Sequence, residues 1–139
     1  MNKIILLISL LLLTGCGRQT LTCHIEGDSF DTERNMEVRV TFNRAGDLQR
    51  RMYTVMNAIS GSASTADIHY ELFNEDCKDY NSFRGVSCQI TRSGNTVTQT
   101  VNVNFSRIEE EGIHFFGTAD EVTIDQLRVQ LLRDGFTCQ

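Results

Sequence analysis

The chain has 139 residues, of which 40% are hydrophobic and 22% charged, and it contains no proline. Its formal net charge of −5 disfavours nucleic-acid binding, because that function depends on clustered Lys and Arg that displace counterions from phosphates. The nearest approach to a basic patch is Arg50-Arg51, and we expect both side chains at the surface, on opposite faces of a strand. The composition therefore predicts an ordered domain without a nucleic-acid partner.

The first fifteen residues have the organisation of a signal peptide. Lys3 supplies a positive charge, and the run from Ile4 to Leu13 is apolar except for Ser9. This run is too short for a helix across a bilayer, which needs about 20 apolar residues. We expect residues 1–15 to be removed, which takes one of the thirteen basic residues away and leaves a net charge of −6.

The apolar run ends in Leu13-Thr14-Gly15-Cys16, which resembles the lipobox of bacterial lipoproteins. The resemblance implies cleavage between Gly15 and Cys16 and lipid on Cys16, with acyl chains such as palmitate. Because each buried CH₂ contributes about 0.8 kcal/mol, two or three chains would hold the protein on the outer side of a membrane. Residues 16–20 would then be a lipidated tether. The alternative is an ordinary secretory signal with a chance cysteine. The residue after Cys16 is Gly17 and not aspartate, so the sequence allows the protein to be held in either the inner or the outer membrane.

Four cysteines remain when lipid occupies Cys16, and an exported chain with an even number of cysteines favours disulfides. Three pairings are open, and we favour Cys23 with Cys138 and Cys77 with Cys88. The first would join the ends of the domain, which often lie close together. Free thiols and a metal site made with a histidine are the alternatives, but no Cys-x-x-Cys or His-x-x-x-His spacing supports a metal. We predict no metal and no cofactor.

Hydropathy patterns predict an α+β domain over residues 21–139. A first strand is expected at 21–25, and a charged turn follows from Gly27 to Asn35. Alternation over 36–42 predicts a hairpin that returns by Asn57 and could instead break near Met56. A second hairpin is expected from strands at 86–91 and 96–105, with a slip in the alternation at Gln99 and a solvated outer face of Thr and Asn.

Two helices are expected to pack on the antiparallel sheet that these hairpins form. Helical spacing over 65–80 predicts the first, with Ser64 as N-cap and Asp67 in the first turn. Thr123 and Gln126 form a capping-box pattern for the second, whose apolar stripe stops at Gly135. The segment after Gly135 is expected to extend towards the first strand.

This order of lipobox, tether, hairpin, helix, hairpin and C-terminal helix ending in Leu131-Leu132-Arg133-Asp134-Gly135-Phe136 resembles the YehR-like small bacterial lipoproteins. The resemblance covers most of the mature chain in layout, and Cys23 with Cys138 suits the members that carry cysteines at both ends. It implies a membrane lipoprotein of uncharacterised function. No catalytic residue is carried over.

Our functional prediction is a membrane-anchored binding or structural module that contacts an envelope protein or a small ligand. An envelope hydrolase is an alternative, although no Gly-x-Ser-x-Gly or His-Glu-x-x-His motif occurs. Its candidates are ordinary. His114 is the histidine expected to be buried and is better explained as a core or surface imidazole without a catalytic role, and the run Glu109–Glu111 is better explained as a solvated loop. Glu75, Asp76 and Asp79 are likewise expected to face water and not a cation. A third alternative is that the released leader acts as a signalling peptide.

Overall fold

The computed structural model of the protein describes residues 18–45, 47–119 and 122–139. It contains strands β1 (Gln19–Ser29), β2 (Thr32–Ala45), β3 (Asp47–Ser60), β4 (Val86–Ser93), β5 (Thr96–Asn104) and β6 (Thr137–Cys138), and helices α1 (Ala63–Tyr80), α2 (Glu110–Phe116) and α3 (Ile124–Arg133). The strands form one sheet in the order β4-β5-β3-β2-β1-β6, with antiparallel pairing throughout. The predicted α+β class is confirmed.

The strands form where apolar residues alternate with polar ones. In β5, Val97, Val101 and Val103 are buried on one face while the intervening Thr and Asn side chains are only half-buried. The expected slip at Gln99 is wrong, because Gln99 occupies a buried position of the same face. Its amide Nε2 lies 4.0 Å from Cys77 Sγ, so a polar residue continues the alternation inside the core.

The first hairpin is longer than the sequence indicates. Pairing between β1 and β2 continues from Gln19 to Ser29, and only Phe30 and Asp31 connect the strands, so the expected turn from Gly27 to Asn35 is wrong. Turn-prone residues are accommodated there because this end of the hairpin is exposed. Phe30 has a positive φ of 53° and a fully exposed ring. At the other end of the strand, β1 begins at Gln19, within the expected tether of residues 16–20.

The β2–β3 hairpin is confirmed and continues past Met56 to Ser60. A bulge places Thr41 opposite Met52 and Phe42 opposite Arg50, which turns Arg50 inward. The expectation that Arg50 lies at the surface is therefore wrong. Its guanidinium carbon is 4.5 Å from the centre of the Phe105 ring, and Nη2 donates to a backbone carbonyl in the loop after α2.

Both predicted helices are present, but the start of α1 differs. Ser62, not Ser64, is the N-cap, and its Oγ accepts a hydrogen bond from Thr65 N at 3.2 Å. Asp67 lies beyond the first turn and pairs with Arg92 at 2.5 Å instead. An earlier cap allows the helix to begin immediately after β3, so the expected position of Asp67 near the helix dipole is wrong.

The predicted capping box at the start of α3 is confirmed. Thr123 Oγ1 accepts from Gln126 N at 3.2 Å, and Gln126 Oε1 accepts from Thr123 N at 3.1 Å. None of the described helices is long and apolar enough to span a membrane.

Both long helices lie on the same face of the sheet. Ile124, Leu127 and Leu131 of α3 pack against Leu21, Val40 and Phe42. Buried residues of α1 pack against the other half, with Phe73 against Ile59 and Val97, and Cys77 against Val101 and Val103. We call this the covered face.

Candidate binding surfaces

The opposite side of the sheet, which we call the open face, carries neither α1 nor α3. Register across the strands aligns its residues in rows, with Thr41, Met52 and Asn104 in one row and Thr54 with Asn102 in another. The open face includes Thr22, His24, Glu37, Arg39, Thr41, Met52, Thr54, Met56, Ala58, Thr98, Thr100, Asn102 and Asn104. Its expected solvated Thr and Asn side chains are thus on the side without the helices.

Cross-strand hydrogen bonds order part of the open face. Thr54 Oγ1 donates to Asn102 Oδ1 at 2.8 Å, and the hydroxyls of Ser60 and Thr96 are 2.7 Å apart. Such pairs hold β-branched side chains in single orientations on neighbouring strands. Met56 is 41% exposed near the middle of the open face, and methionine adapts readily to different apolar partners. The result is a polar surface on which Met56 lies in the same row as Glu37, whose carboxylate pairs with Arg39 at 2.8 Å.

A cleft of about 620 Å³ lies where the open face meets the beginning of β4. Its side chains are mainly polar, and two of them are arginines: Met52, Arg84, Ser87, Asn102, Asn104 and Arg107. Gly85, at the floor of the cleft, has φ of 82°. A Cβ there would be 2.8 Å from the backbone carbon of Arg107. Glycine therefore permits the close approach of two chain segments that brings the arginines together.

The acidic tip of the first hairpin forms a second open cleft at the other end of the sheet. It has about 560 Å³ and is lined by Asp28, Asp31, Glu33 and the exposed Phe30. The two clefts differ in charge. The basic cleft lies at the end of the sheet where β1 begins, near Thr20. The acidic cleft lies at the opposite end, where β1 finishes.

The edge strand β4 is closed to pairing at its centre. Asn81, which ends α1, accepts from Cys88 N at 2.7 Å and donates to Cys88 O at 3.0 Å. One side chain thus satisfies both backbone groups that a further strand would use. Addition of a strand at this position is therefore disfavoured.

The structure brings both favoured cysteine pairs to disulfide distance. Cys23 and Cys138 have an S–S distance of 2.04 Å, and Cys77 and Cys88 one of 1.94 Å. Cys23 also pairs with Cys138 as β6 joins the sheet beside β1. Each bond therefore ties an element to the covered face: β6 to β1, and α1 to β4.

Other residues singled out from the sequence do not form a reactive site. His114 is exposed on α2 and not packed in the core, while Glu109 forms an ion pair with Arg84 at 3.3 Å. Glu75 pairs with Lys78 at 2.6 Å. Among the described residues, no group of three or more His, Cys, Asp and Glu side chains could hold a metal ion. Gly15 and Cys16, the predicted cleavage and lipidation residues, lie outside the described residues.

Tyr53 is half-buried on the covered face, where it packs against two core clusters. Burial raises the pKa of Tyr53 above its ordinary value of 10.0, Arg50 opposes this shift, and Tyr80 adds to it. Arg50 connects the covered face to the loop after α2, since its backbone N donates to Ala119 O at 2.7 Å. Sequence reasoning missed this structural role of Arg50 because a bulge, and not the alternation, turns the side chain inward.

Comparison of the chain with family models, with curated proteins and with solved structures gave no match. The resemblance to YehR-like lipoproteins accordingly stays a prediction from the layout of the sequence.

Proposed function

We propose that this protein is a membrane-anchored lipoprotein that binds a macromolecule of the bacterial envelope through its open face. The observation that carries the binding proposal is the placement of α1 and α3 on one side of the sheet. The apolar residues of the sheet are covered there, while the wide surface on the other side carries neither of these helices.

The dimensions of the open face favour a macromolecule over a small ligand. Strands are spaced about 4.8 Å apart and rise about 3.3 Å per residue, so five strands from β4 to β1 present an area of about 600 Å². Specific protein interfaces bury about 800 Å² on each partner. A small-molecule site is instead a concave, largely apolar pocket, whereas the open face is a polar sheet surface.

The anchoring part of the proposal is supported by the lipobox and by the short connection to the sheet. Only three residue steps separate Cys16 from Gln19, where β1 begins. A fully extended chain spans at most about 3.6 Å per residue, so the start of β1 would lie within about 11 Å of the lipid-bearing residue. The open face would therefore meet partners close to the membrane surface.

Intact mass spectrometry of protein extracted from membranes tests the anchor. We expect acyl mass on Cys16 in the wild type and an uncleaved precursor for Cys16→Ala. A wild-type mass without lipid would contradict anchoring and would instead fit a protein released by an ordinary secretory signal.

Photocrosslinking tests the open face. A photoreactive residue in place of Thr100, on the open face, should give a discrete adduct in intact cells, whereas one at Glu71, exposed on α1, should not. The adduct from position 100 should disappear when Thr98→Arg adds a charge to the same face, and it should persist with Glu71→Arg as the matched control. Equal adducts from positions 100 and 71 would contradict the proposal.

A further inference from the structure

The cleft between Arg84 and Arg107 has a composition suited to an anion. None of the residues that line it is acidic. Arg107 forms no ion pair within the described residues, while Arg84 gives one Nη1–H to Glu109 at 3.3 Å. A guanidinium has five N–H donors, so the contact with Glu109 leaves Arg84 with several more.

The two asparagines of the cleft add hydrogen-bond donors because their oxygens are already engaged. Asn102 Oδ1 accepts from Thr54 Oγ1 at 2.8 Å. Asn104 Oδ1 accepts from Ser106 N at 3.1 Å and from Ser106 Oγ at 2.6 Å. Each amide therefore retains its NH₂ group for another partner. Two guanidinium and two amide groups make a donor-rich site, and phosphate oxygens are the matching acceptors.

The position of the cleft identifies which phosphate it would meet. Asn104 and Met52 lie in the same row of the sheet as Thr41 and Thr20, only one residue beyond the start of β1. Three strand spacings of about 4.8 Å place the cleft about 14 Å to the side of that start. If Cys16 carries lipid, this end of the sheet faces the membrane.

The distribution of charge favours the same orientation. Acidic residues Glu26, Asp28, Asp31 and Glu33 lie at the distal end of the first hairpin. An anionic membrane would repel that end and attract the arginines of the cleft. Arg34 at the tip and Glu109 beside Arg84 reduce this contrast, which leaves a charge of −3 for the named groups at the tip and +1 for those at the cleft.

We propose that the Arg84–Arg107 cleft binds the phosphate headgroup of an anionic phospholipid in the membrane that holds Cys16. This inference rests on the proposed anchoring and adds a second contact with the bilayer. The lipid chain would retain the protein at the membrane. The cleft would hold the strands perpendicular to the membrane plane, so that the open face points parallel to the bilayer surface.

The test uses the lipidated protein in nanodiscs, with arginine modification by phenylglyoxal read by peptide mass spectrometry. Replacing phosphatidylcholine with a mixture rich in phosphatidylglycerol should lower modification of Arg84 and Arg107 about fivefold, which corresponds to about 1 kcal/mol for each arginine. Arg34, exposed at the distal end, should be modified equally in both discs.

Further measurements distinguish a lipid headgroup from free inorganic phosphate as the ligand of the cleft. Millimolar inorganic phosphate added to phosphatidylcholine discs should give no protection, and protection there would overturn the assignment to a lipid headgroup. Arg107→Gln should reduce the protection of Arg84 in phosphatidylglycerol discs, whereas Arg34→Gln should not. Equal protection of Arg34 would also overturn the proposal, because it would show a general effect of the anionic surface.

Intact mass of the same samples distinguishes this inference from the function on which it rests. Lipid on Cys16 without protection of Arg84 and Arg107 would overturn the headgroup site and leave the anchor standing. An unmodified Cys16 would overturn the anchor, and the headgroup assignment would fail with it.

Discussion

The two faces of the sheet are built from the same strands yet differ in what covers them. Phe42 is buried on the covered face, and its neighbour Thr41 is half-buried on the open face beside Met52. Consecutive side chains of a strand point to opposite faces, so a single segment supplies both core and surface. The difference teaches that adjacent residues allow stability to be altered separately from the proposed binding surface.

The largest expected effect comes from breaking the covered face at Phe42. Phe42→Ala should lower the free energy of unfolding by about 3–5 kcal/mol, because a fully buried ring is replaced by a cavity. Thr41→Ala, one residue away on the open face, should change it by less than about 0.5 kcal/mol. Denaturant unfolding followed by circular dichroism checks both, and equal losses would refute the division into two faces.

A somewhat smaller effect is expected at Gly85 in the basic cleft. Gly85→Ala should cost about 2–4 kcal/mol, since its φ of 82° disfavours a side chain and the new Cβ would press on the backbone of Arg107. Gly27→Ala is the matched control, because nothing lies within 4 Å of a Cβ there. Thermal unfolding of the two variants measures the difference, and a neutral Gly85→Ala would show that the segments can move apart.

Asparagine substitutions sharpen the comparison because they should change the free energy of unfolding in opposite directions on the two faces. Asn57 Oδ1 is buried without a hydrogen-bond partner in the described residues, so Asn57→Val should stabilise the fold by about 1 kcal/mol. Asn102→Val on the open face removes the acceptor of Thr54 and should destabilise by about 0.5–1 kcal/mol. Urea unfolding of both variants checks the signs, and stabilisation by both would contradict the interpretation.

The smallest effect at neutral pH is expected at Tyr53. Burial raises its pKa in the folded protein above the ordinary value of 10.0, so the folded state retains the proton longer than the unfolded state. Its contribution is fully present below pH 10 and is lost as the pH rises through the folded pKa. Tyr53→Phe should therefore weaken the loss of stability in alkali, while Tyr70→Phe at an exposed position should not, as measured by unfolding at several pH values with thiol exchange blocked.

Much of the fold could be predicted because its signals are local. Alternation in β2 and β5, the capping box of Thr123 and Gln126, and the position of Gly135 depend on neighbouring residues in the chain. The β1–β2 turn and the cap of α1 were less accurately predicted. Several residues near each could have ended the element, and the choice depended on strand pairing and on the approach of β3 to α1.

The candidate binding surfaces were only partly accessible from the sequence. Thr and Asn on alternate positions of β5 indicated a solvated face, but nothing local indicated that both helices would leave that face open. The basic cleft joins Arg84 to Arg107, which are separated in sequence by two strands. Their proximity depends on the close approach of the backbone at Gly85 to the backbone of Arg107. No periodic pattern in the sequence indicates this contact.

By itself the sequence determined which residues alternate, where helices are favoured and which cysteines are available, because these properties depend on side-chain chemistry and short spacing. The predicted leader and the resemblance of residues 13–16 to a lipobox likewise depend on local signals, and they support the proposed anchor. Only the tertiary structure decided that Arg50 is buried over Phe105, that Gln99 lies in the core, and that the two helices share one face. These outcomes depend on a bulge, on register and on packing between distant segments, where the free energy of burial outweighs the preference of a single residue.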